Sequence, residues 1–346
     1  MRLRSRPHLG RGGNDYVNYL DEHISTQRYA DLEVEMKLRD LTGTKYSVIQ
    51  GGMANIATGE FAAACSNAGA LGLVASGGMD AEALREQIRI CKSKTDKPFG
   101  VNLMLMNPDV DNIAKMLVEE KVQFITTGAG NPGKYMKAWK EMGAKVFPVV
   151  ASVALAKIMV RAGADAIIAE GGESGGHVGD MTTMTLLPQV VAAVDVPVIA
   201  AGGIASGKQM AAAMLLGACG VQVGTCLLVS QECPIHDNYK QTLIKSKDNA
   251  TTVTGRSQGA PVRIIKNEMA REYLKLEAEG ADREQLEHIT LGGLRRAVCD
   301  GDMIRGSVMA GQVCGQLTAV RPVVEILDEM VSDAKSSLAH AASIEL

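Results

Sequence analysis

From Tyr46 onward the sequence repeats one pattern, in which a short β-branched or apolar run precedes a turn of small residues and a longer stretch with helical spacing. Strands that alternate with helices pair in parallel through right-handed crossovers, and eight such units are the number that closes a (β/α)8 barrel. We therefore predict an α/β fold, a TIM barrel, over residues 36–231. The eight strand-like runs are Tyr46–Gln50, Leu71–Ala75, Phe99–Leu105, Val122–Thr126, Lys145–Val150, Ala166–Ala169, Val196–Ala200 and Val221–Leu227.

The pattern changes after the eighth run. Residues 232–310 are more charged and have helical spacing at Val262–Glu279 and Arg283–Arg296, which predicts a helical insertion over the barrel mouth. Residues 306–315 are rich in small side chains, as a segment beneath a ligand would be. Within residues 311–346, Leu317–Leu338 is predicted to be the helix that closes the barrel. Residues 1–35 carry four early arginines without an apolar signal-peptide core, so we expect a disordered or added leader there.

Charge and cysteine usage exclude several classes of function. The net charge of −3 and the isoelectric point near 6.1 provide no overall basic field for a nucleic acid. No apolar run approaches the roughly 18 residues that span a bilayer. The seven cysteines are scattered and form no Cys-x-x-Cys pair, so we predict reduced thiols in a cytoplasmic protein, with neither a disulfide framework nor a metal site.

The segment Glu170–Gly179 places five glycines around His177, directly after the apolar run Ala166–Ala169. Glycine is costly to order, so a dense cluster at a strand end indicates turns with positive φ or a ligand close to the backbone. An imidazole in such a loop is well placed for catalysis. The alternative is a tight strand-to-helix turn with a solvated histidine.

The two loops after the seventh and eighth runs predict an anion site. TIM barrels commonly bind a phosphate between these loops, at the amino terminus of a short helix. Gly202, Gly203 and Gly224 would let backbone N–H groups approach an anion closely, and a helix that begins near Ser206 adds a favourable dipole.

Amide side chains follow or occupy three of the runs. Gln50, Asn102 and Gln222 would form a polar floor, and Met53 and Ala54 an uncharged wall. Amides can meet both donors and acceptors on the edge of a flat heterocycle. With the phosphate site, these features predict a pocket for flavin mononucleotide, FMN.

Six motifs carry a resemblance to known proteins: Ile49–Met53, Thr126–Pro132, Glu170–Gly179, Ile199–Ile204, Gln222–Thr225 and Gly306–Gln312. Together they resemble the nitronate monooxygenase-like flavoproteins and, within them, the flavin-dependent enoyl-[acyl-carrier-protein] reductase II family of the FabK type. The likeness runs from about Met36 to the carboxyl terminus.

The resemblance implies a cytoplasmic enzyme that takes hydride from NADH or NADPH and reduces a trans-2-enoyl thioester through FMN, the last step of fatty-acid elongation. It implies that His177 is catalytic, that acyl-carrier protein is the partner, and that the chain forms a homodimer. A monovalent cation is needed by some relatives. The candidate FMN-binding residues are Gly52, Met53, Ala54, Asn102, Thr127, Glu170, Gly176, Ala201, Gly202, Gly203, Gln222, Gly224 and Thr225.

Two other functions stay open on the sequence. A nitronate monooxygenase would use the same flavin site and histidine with oxygen as the oxidant, and a regulatory barrel would bind FMN or phosphate without turnover. Because acyl-carrier protein is acidic, we expect a basic docking patch near the mouth, the alternative being a solvated charged helix face. The candidate patch comprises Lys240, Lys245, Lys247, Arg256, Arg263, Lys266 and Arg271.

Overall fold

Eight parallel strands surround the centre of the fold in the computed structural model, which describes residues 37–345. The order around the sheet is β1-β9-β8-β6-β5-β4-β3-β2. A parallel bridge between Ile49 and Leu71 joins the two ends, and the Gln50 amide donates to the Leu71 carbonyl at 3.0 Å. The predicted TIM barrel is therefore confirmed, whereas the predicted leader 1–35 lies outside the described residues. The strands are β1 Val48–Gln50, β2 Gly72–Ala75, β3 Phe99–Met104, β4 Phe124–Gly128, β5 Lys145–Val150, β6 Ile167–Glu170, a two-residue β7 Gly176–His177 outside the barrel, β8 Val198–Ala201 and β9 Gly220–Val223.

Helices follow the barrel strands and cover them from outside. Short polar side chains begin several of these helices: Ser206 Oγ, for example, accepts the Gln209 amide at 3.3 Å, where the sequence predicts a helix start. Glycines with positive φ, such as Gly69 and Gly217, follow the helix ends. The helices are α1 Leu38–Thr42, α2 Gly59–Asn67, α3 Ala81–Lys94, α4 Val110–Glu119, α5 Gly133–Glu141, α6 Val153–Arg161, α7 Thr183–Val191 and α8 Gly207–Leu215.

The segment after β9 contains a β-hairpin as well as helices. The prediction of one helix over Val262–Glu279 is wrong at its start, because Val262–Ile265 is a strand that pairs with Thr251–Thr254. Its β-branched residues favour an extended backbone. The elements are a 3₁₀ turn Thr225–Val229, α9 Asp237–Ile244, β10 Thr251–Thr254, β11 Val262–Ile265, α10 Glu268–Ala278, α11 Arg283–Thr290, α12 Gly293–Arg295 and a π turn Arg296–Asp300.

The chain then returns to the barrel through the 3₁₀ turn Gln312–Gln316 and ends in α13, Val323–Ala341. This helix begins later than the sequence predicts, after Pro322, whose fixed φ suits a helix start. It packs against α8 so closely that a Cβ at Gly207 would lie 2.3 Å from the Ala334 nitrogen. It therefore occupies the place of the eighth barrel helix.

The barrel interior is filled by aliphatic and aromatic side chains on alternate strand positions, as in other barrels of this kind. Phe124 and Phe147 are among the interior residues, whereas Ile125 points outward to the helices. Leu38 of α1 closes the amino-terminal end, where its amide donates to the Cys219 carbonyl at 2.9 Å. All seven cysteines are free thiols. Among the described residues, no helix has the length and apolarity needed to cross a membrane.

Candidate functional site

A cavity of about 440 Å³ opens at the carboxyl ends of the barrel strands. Its walls come from the loops after the strands, from the glycine-rich loop Glu170–Gly179 and from the returning segment, residues 306–315. This is where TIM barrels place their active sites, and the volume is typical of a small-molecule site. The predicted residues that line it are Gly52, Met53, Ala54, Asn102, Glu170, Gly176, His177, Ala201, Gly202, Gly203, Gln222, Gly224 and Thr225.

Asn102 and Gln222 direct their amides toward the cavity. The Asn102 Oδ1 accepts the Thr126 hydroxyl at 2.8 Å, which leaves its Nδ2 donors for the cavity. Gln222 is nearly buried, with 9% of its surface exposed, and yet its side chain makes no hydrogen bond to any residue in the range 37–345. A Cβ at Gly52 would lie 2.2 Å from the Asn102 Cβ, so only glycine fits beside that amide. These two side chains offer donors and acceptors to a polar ligand edge.

Backbone N–H groups converge where the sequence predicts a phosphate. Gly202 and Gly203 have φ of 86° and 72°, and a Cβ at Gly202 would lie 2.7 Å from the Gly171 carbonyl oxygen. The amides of Gly202, Gly203, Gly224 and Thr225 donate to no group within the described part of the chain. Unpaired N–H groups on a cavity wall are the donors that an anion requires.

The glycine-rich loop presents His177 on the cavity wall. His177 and Gly176 form the strand β7, which pairs in antiparallel fashion with β11 of the insertion. The imidazole is exposed at the cavity and makes no side-chain hydrogen bond within residues 37–345, while the surrounding protein atoms lower its pKa from the ordinary value by desolvation. The neutral imidazole is therefore the dominant form at neutral pH.

Glu170, at the end of β6, is a second titratable group in the cavity. Burial raises the pKa of its carboxyl to about 7, and the Ser174 hydroxyl, which donates to Oε1 at 3.1 Å, opposes that shift. This carboxyl therefore titrates close to neutral pH.

Sequence reasoning did not identify Glu173, which also lines the cavity. Its two carboxylate oxygens accept the Thr183 amide at 3.0 and 2.9 Å, at the amino terminus of α7. Its own carbonyl accepts the Gln312 amide at 2.9 Å. Glu173 thus connects the glycine-rich loop to α7 and to the returning segment.

The returning segment also contacts the predicted phosphate loop. The Gly311 amide donates to Thr225 Oγ1 at 2.9 Å, and a Cβ at Gly311 would lie 2.7 Å from the Glu173 carbonyl oxygen. Met309 and Val313 of this segment, with Leu294 of α12, add an apolar wall to the cavity. The abundance of small residues at 306–315 is the sequence signal for this packing.

Two predicted polar residues lie away from the cavity surface. Thr127 is 1% exposed and is not among the lining residues, because it shares the outward face of β4 with Ile125, whereas Thr126 faces inward. Gln50 is fully buried. Its side-chain Nε2 donates to the Gly51 carbonyl, and its Oε1 accepts the backbone amide of Leu73 at 2.9 Å. Gln50 therefore supports the junction of β1 and β2 and is not part of the predicted floor.

Two members of the predicted docking patch are not on an exposed basic surface. Lys240 is 6% exposed, and its Nζ donates to the Ser230 carbonyl at 2.8 Å. Arg263 is half-buried and donates to the Gly172 carbonyl. The five exposed members are Lys245, Lys247, Arg256, Lys266 and Arg271.

The fold and the cavity define a TIM-barrel protein whose strand ends are suited to binding an anionic small molecule. The family model described as nitronate monooxygenase matches residues 35–119 and 109–333, and the chain belongs to this family.

The chain is similar to proteins whose names state different activities. It is 45% identical to FabK from Thermotoga maritima, with a TM-score of 0.86 over 88% of this chain and 98% of that one. It is 31% identical to a 5-hydroxy-7a-methyl-1-oxo-octahydro-1H-indene-4-carboxyl-CoA dehydrogenase of Rhodococcus jostii, over 86% of this chain and 95% of that protein. It is 30% identical to a probable nitronate monooxygenase of Staphylococcus saprophyticus, over 81% and 92%.

Proposed function

We propose that this chain is an enoyl-[acyl-carrier-protein] reductase that uses FMN and takes hydride from NADH or NADPH. The observation that carries the proposal is that one cavity combines backbone N–H groups with the imidazole of His177, none of which has a hydrogen-bond partner within residues 37–345. The 45% identity to FabK over nearly the whole of that protein supports the reductase within the family.

The residues present fit FMN. The N–H groups of Gly202, Gly203, Gly224 and Thr225 would hold its phosphate, because they have no other partner in the described residues. The amides of Asn102 and Gln222 would meet the polar edge of the isoalloxazine ring. When bound, FMN supplies the transfer of hydride from a nicotinamide to the β-carbon of the enoyl thioester.

His177 would act on the substrate and not on the cofactor phosphate. Hydride addition at the β-carbon builds negative charge on the thioester oxygen, and an imidazole N–H can donate a hydrogen bond to that oxygen. The saturated product is completed by a proton at the α-carbon, which would come from solvent, because a neutral imidazole could supply it only by becoming an imidazolate. Since desolvation lowers the pKa of His177, the neutral imidazole is the hydrogen-bond donor at neutral pH.

Nitronate monooxygenase is the second candidate, since the family model and the Staphylococcus saprophyticus relative carry that name. It would use the same cavity, with the alkyl nitronate as the substrate that is oxidised and oxygen as the oxidant. The Rhodococcus jostii relative, whose name specifies a carboxyl-CoA, favours a thioester as substrate.

We also propose that acyl-carrier protein docks on the five exposed basic residues of the insertion: Lys245, Lys247, Arg256, Lys266 and Arg271. An acidic carrier and a basic surface steer their encounter, so reversing these charges should raise KM for the carrier-bound substrate. The rate with crotonyl-CoA, which needs no carrier, should not change.

Anaerobic turnover tests the reductase. Purified protein is supplied with FMN, NADH or NADPH, and crotonyl-CoA, and is compared with His177→Gln and with His288→Gln, which alters an exposed histidine of α11. We expect acceptor-dependent oxidation of the nicotinamide in the absence of oxygen, with kcat reduced at least about 100-fold in His177→Gln only. Oxygen uptake on an alkyl nitronate without a response to the thioester would refute the reductase and support the second candidate.

A further inference from the structure

Arg263 lies behind the glycine-rich loop, on the side away from the cavity. In the antiparallel pair of β7 and β11, Arg263 is opposite Gly176 and Val262 is opposite His177. Residues that lie opposite each other share a face of the sheet, and neighbours along a strand alternate between faces. Because His177 faces the cavity, Arg263 points to the other side, and it is absent from the lining residues.

Arg263 holds that loop at two points, Gly172 through its guanidinium and Gly176 through its backbone. Its Nε and Nη2 donate to the carbonyl oxygen of Gly172 at 3.1 and 2.8 Å, so one acceptor receives two hydrogen bonds. Its backbone pairs with Gly176, four residues further along the same loop. One residue of the insertion thus fixes the loop both before and at the strand that carries His177.

A third hydrogen bond orients the guanidinium plane. Nη1 donates to Thr251 Oγ1 on β10 at 3.1 Å. No carboxylate among the described residues lies within ion-pair distance of Arg263, and burial lowers the pKa of this guanidinium from its ordinary value. The guanidinium therefore acts on the backbone and hydroxyl groups next to it and not on a carboxylate partner. Hydrogen bonds from a charged donor are stronger than those between neutral groups, so these contacts hold the loop firmly.

The loop needs such a support because of its own composition. Five of its ten residues are glycines, so its backbone is free to adopt many conformations. The loop is also held at other points: the Gly172 amide donates to the Met181 carbonyl at 2.7 Å, the Val178 amide donates to the Pro261 carbonyl at 3.1 Å, and Glu173 accepts the Thr183 and Gln312 amides. The second of these also comes from the hairpin of the insertion.

We propose that Arg263 is a positioning residue, which holds the Gly172 carbonyl and thereby fixes the imidazole of His177 in its catalytic position. The insertion then contributes to catalysis through a strand and one side chain that never contact the substrate. The inference rests on the proposed function for its kinetic readout, but not for its structural one.

The test uses the full chain with Arg263→Lys and Arg263→Gln. Lysine keeps the charge but has a single donor nitrogen, so it cannot make the paired hydrogen bonds to the Gly172 carbonyl. Glutamine removes the charge as well. Thr251→Val is a milder variant that removes only the acceptor of Nη1. Arg305→Lys, which alters an exposed arginine of the insertion paired with Glu272, is the matched control.

We expect amide hydrogen exchange in the peptide spanning 171–178 to become at least about tenfold faster in both Arg263 variants, less so in Thr251→Val, and unchanged in Arg305→Lys. Peptides from the barrel strands should keep their protection. With crotonyl-CoA, kcat should fall at least about tenfold, equivalent to about 1.4 kcal/mol of transition-state stabilisation, while KM changes less than about twofold.

Exchange in 171–178 within about twofold of wild type in both Arg263 variants would overturn the inference, as would faster exchange spread over the whole chain. Absence of enoyl reduction in the wild-type chain would instead refute the proposed function. The exchange experiment would then still decide whether Arg263 holds the loop.

Discussion

The cavity carboxyl of Glu170 makes the free energy of unfolding fall as the pH rises, by an amount that follows from its raised pKa. Burial raises its pKa from 4.5 to about 7 in the folded chain, so the folded state keeps a proton that the unfolded state has lost between those values. Substitution by glutamine, Glu170→Gln, replaces the carboxyl with a neutral group of the same shape and abolishes this titration.

The sign follows from proton binding. Between pH 4.5 and 7 the unfolded state binds fewer protons than the folded state, so the free energy of unfolding falls as the pH rises. The contribution is fully present below the unfolded pKa and is lost once the pH exceeds the folded one. The loss amounts to about 2.5 kcal/mol between pH 5 and pH 8, at 1.36 kcal/mol for each unit of pKa difference.

Urea unfolding of wild type and Glu170→Gln, at pH 5 and at pH 8, measures this directly. We expect the variant to gain about 2.5 kcal/mol relative to wild type between the two pH values. Ser174→Ala supplies a second check, because removal of the hydroxyl that lowers the Glu170 pKa should move the loss of stability to higher pH. A stability difference between variant and wild type that is the same at both pH values would refute the raised pKa.

Four further substitutions test the packing of the site and of the insertion. Gly52→Ala places a Cβ 2.2 Å from the Asn102 Cβ and should cost about 1–3 kcal/mol in thermal unfolding, whereas Gly128→Ala, with no atom within 4 Å, should leave the unfolding temperature unchanged. Lys240→Met leaves buried carbonyls without a donor and should lower the free energy of unfolding by about 1–3 kcal/mol, while KM for a carrier-bound substrate stays unchanged. A raised KM at wild-type stability would instead show that Lys240 takes part in docking. Tyr239→Phe removes a hydroxyl that donates to the Met309 carbonyl at 2.6 Å and should cost a similar amount in urea unfolding, and equal stability of the two proteins would contradict this.

Features with a period along the chain could be predicted from the sequence. The eight strand runs and the helix start at Ser206 follow from local patterns, and the structure confirms the barrel they imply. The loop glycines at 202, 203 and 224 were also identifiable, because loops after strands seven and eight of a barrel meet at one edge.

Features that depend on which face of a strand a residue occupies, or on contacts distant in the chain, could not be predicted from the sequence. Thr126 and Thr127 are identical in type, and a shift of one residue decides which faces the barrel interior. Lys240 looks like a surface lysine until the fold brings the carbonyls of Ser230 and Gln231 to its ammonium group. Glu173 acquires its role only because α7 begins beside it.

The charge of the cavity bears on the choice between the two candidate activities. Desolvation lowers the pKa of His177, so the imidazole is neutral at neutral pH, and the Glu170 carboxyl keeps its proton up to about pH 7. A neutral imidazole is suited to an uncharged enoyl thioester, since it can donate a hydrogen bond as the charge on the oxygen develops. An alkyl nitronate is already an anion and would be bound more strongly by an imidazolium, which this environment disfavours. The neutral imidazole is therefore consistent with the proposed reductase.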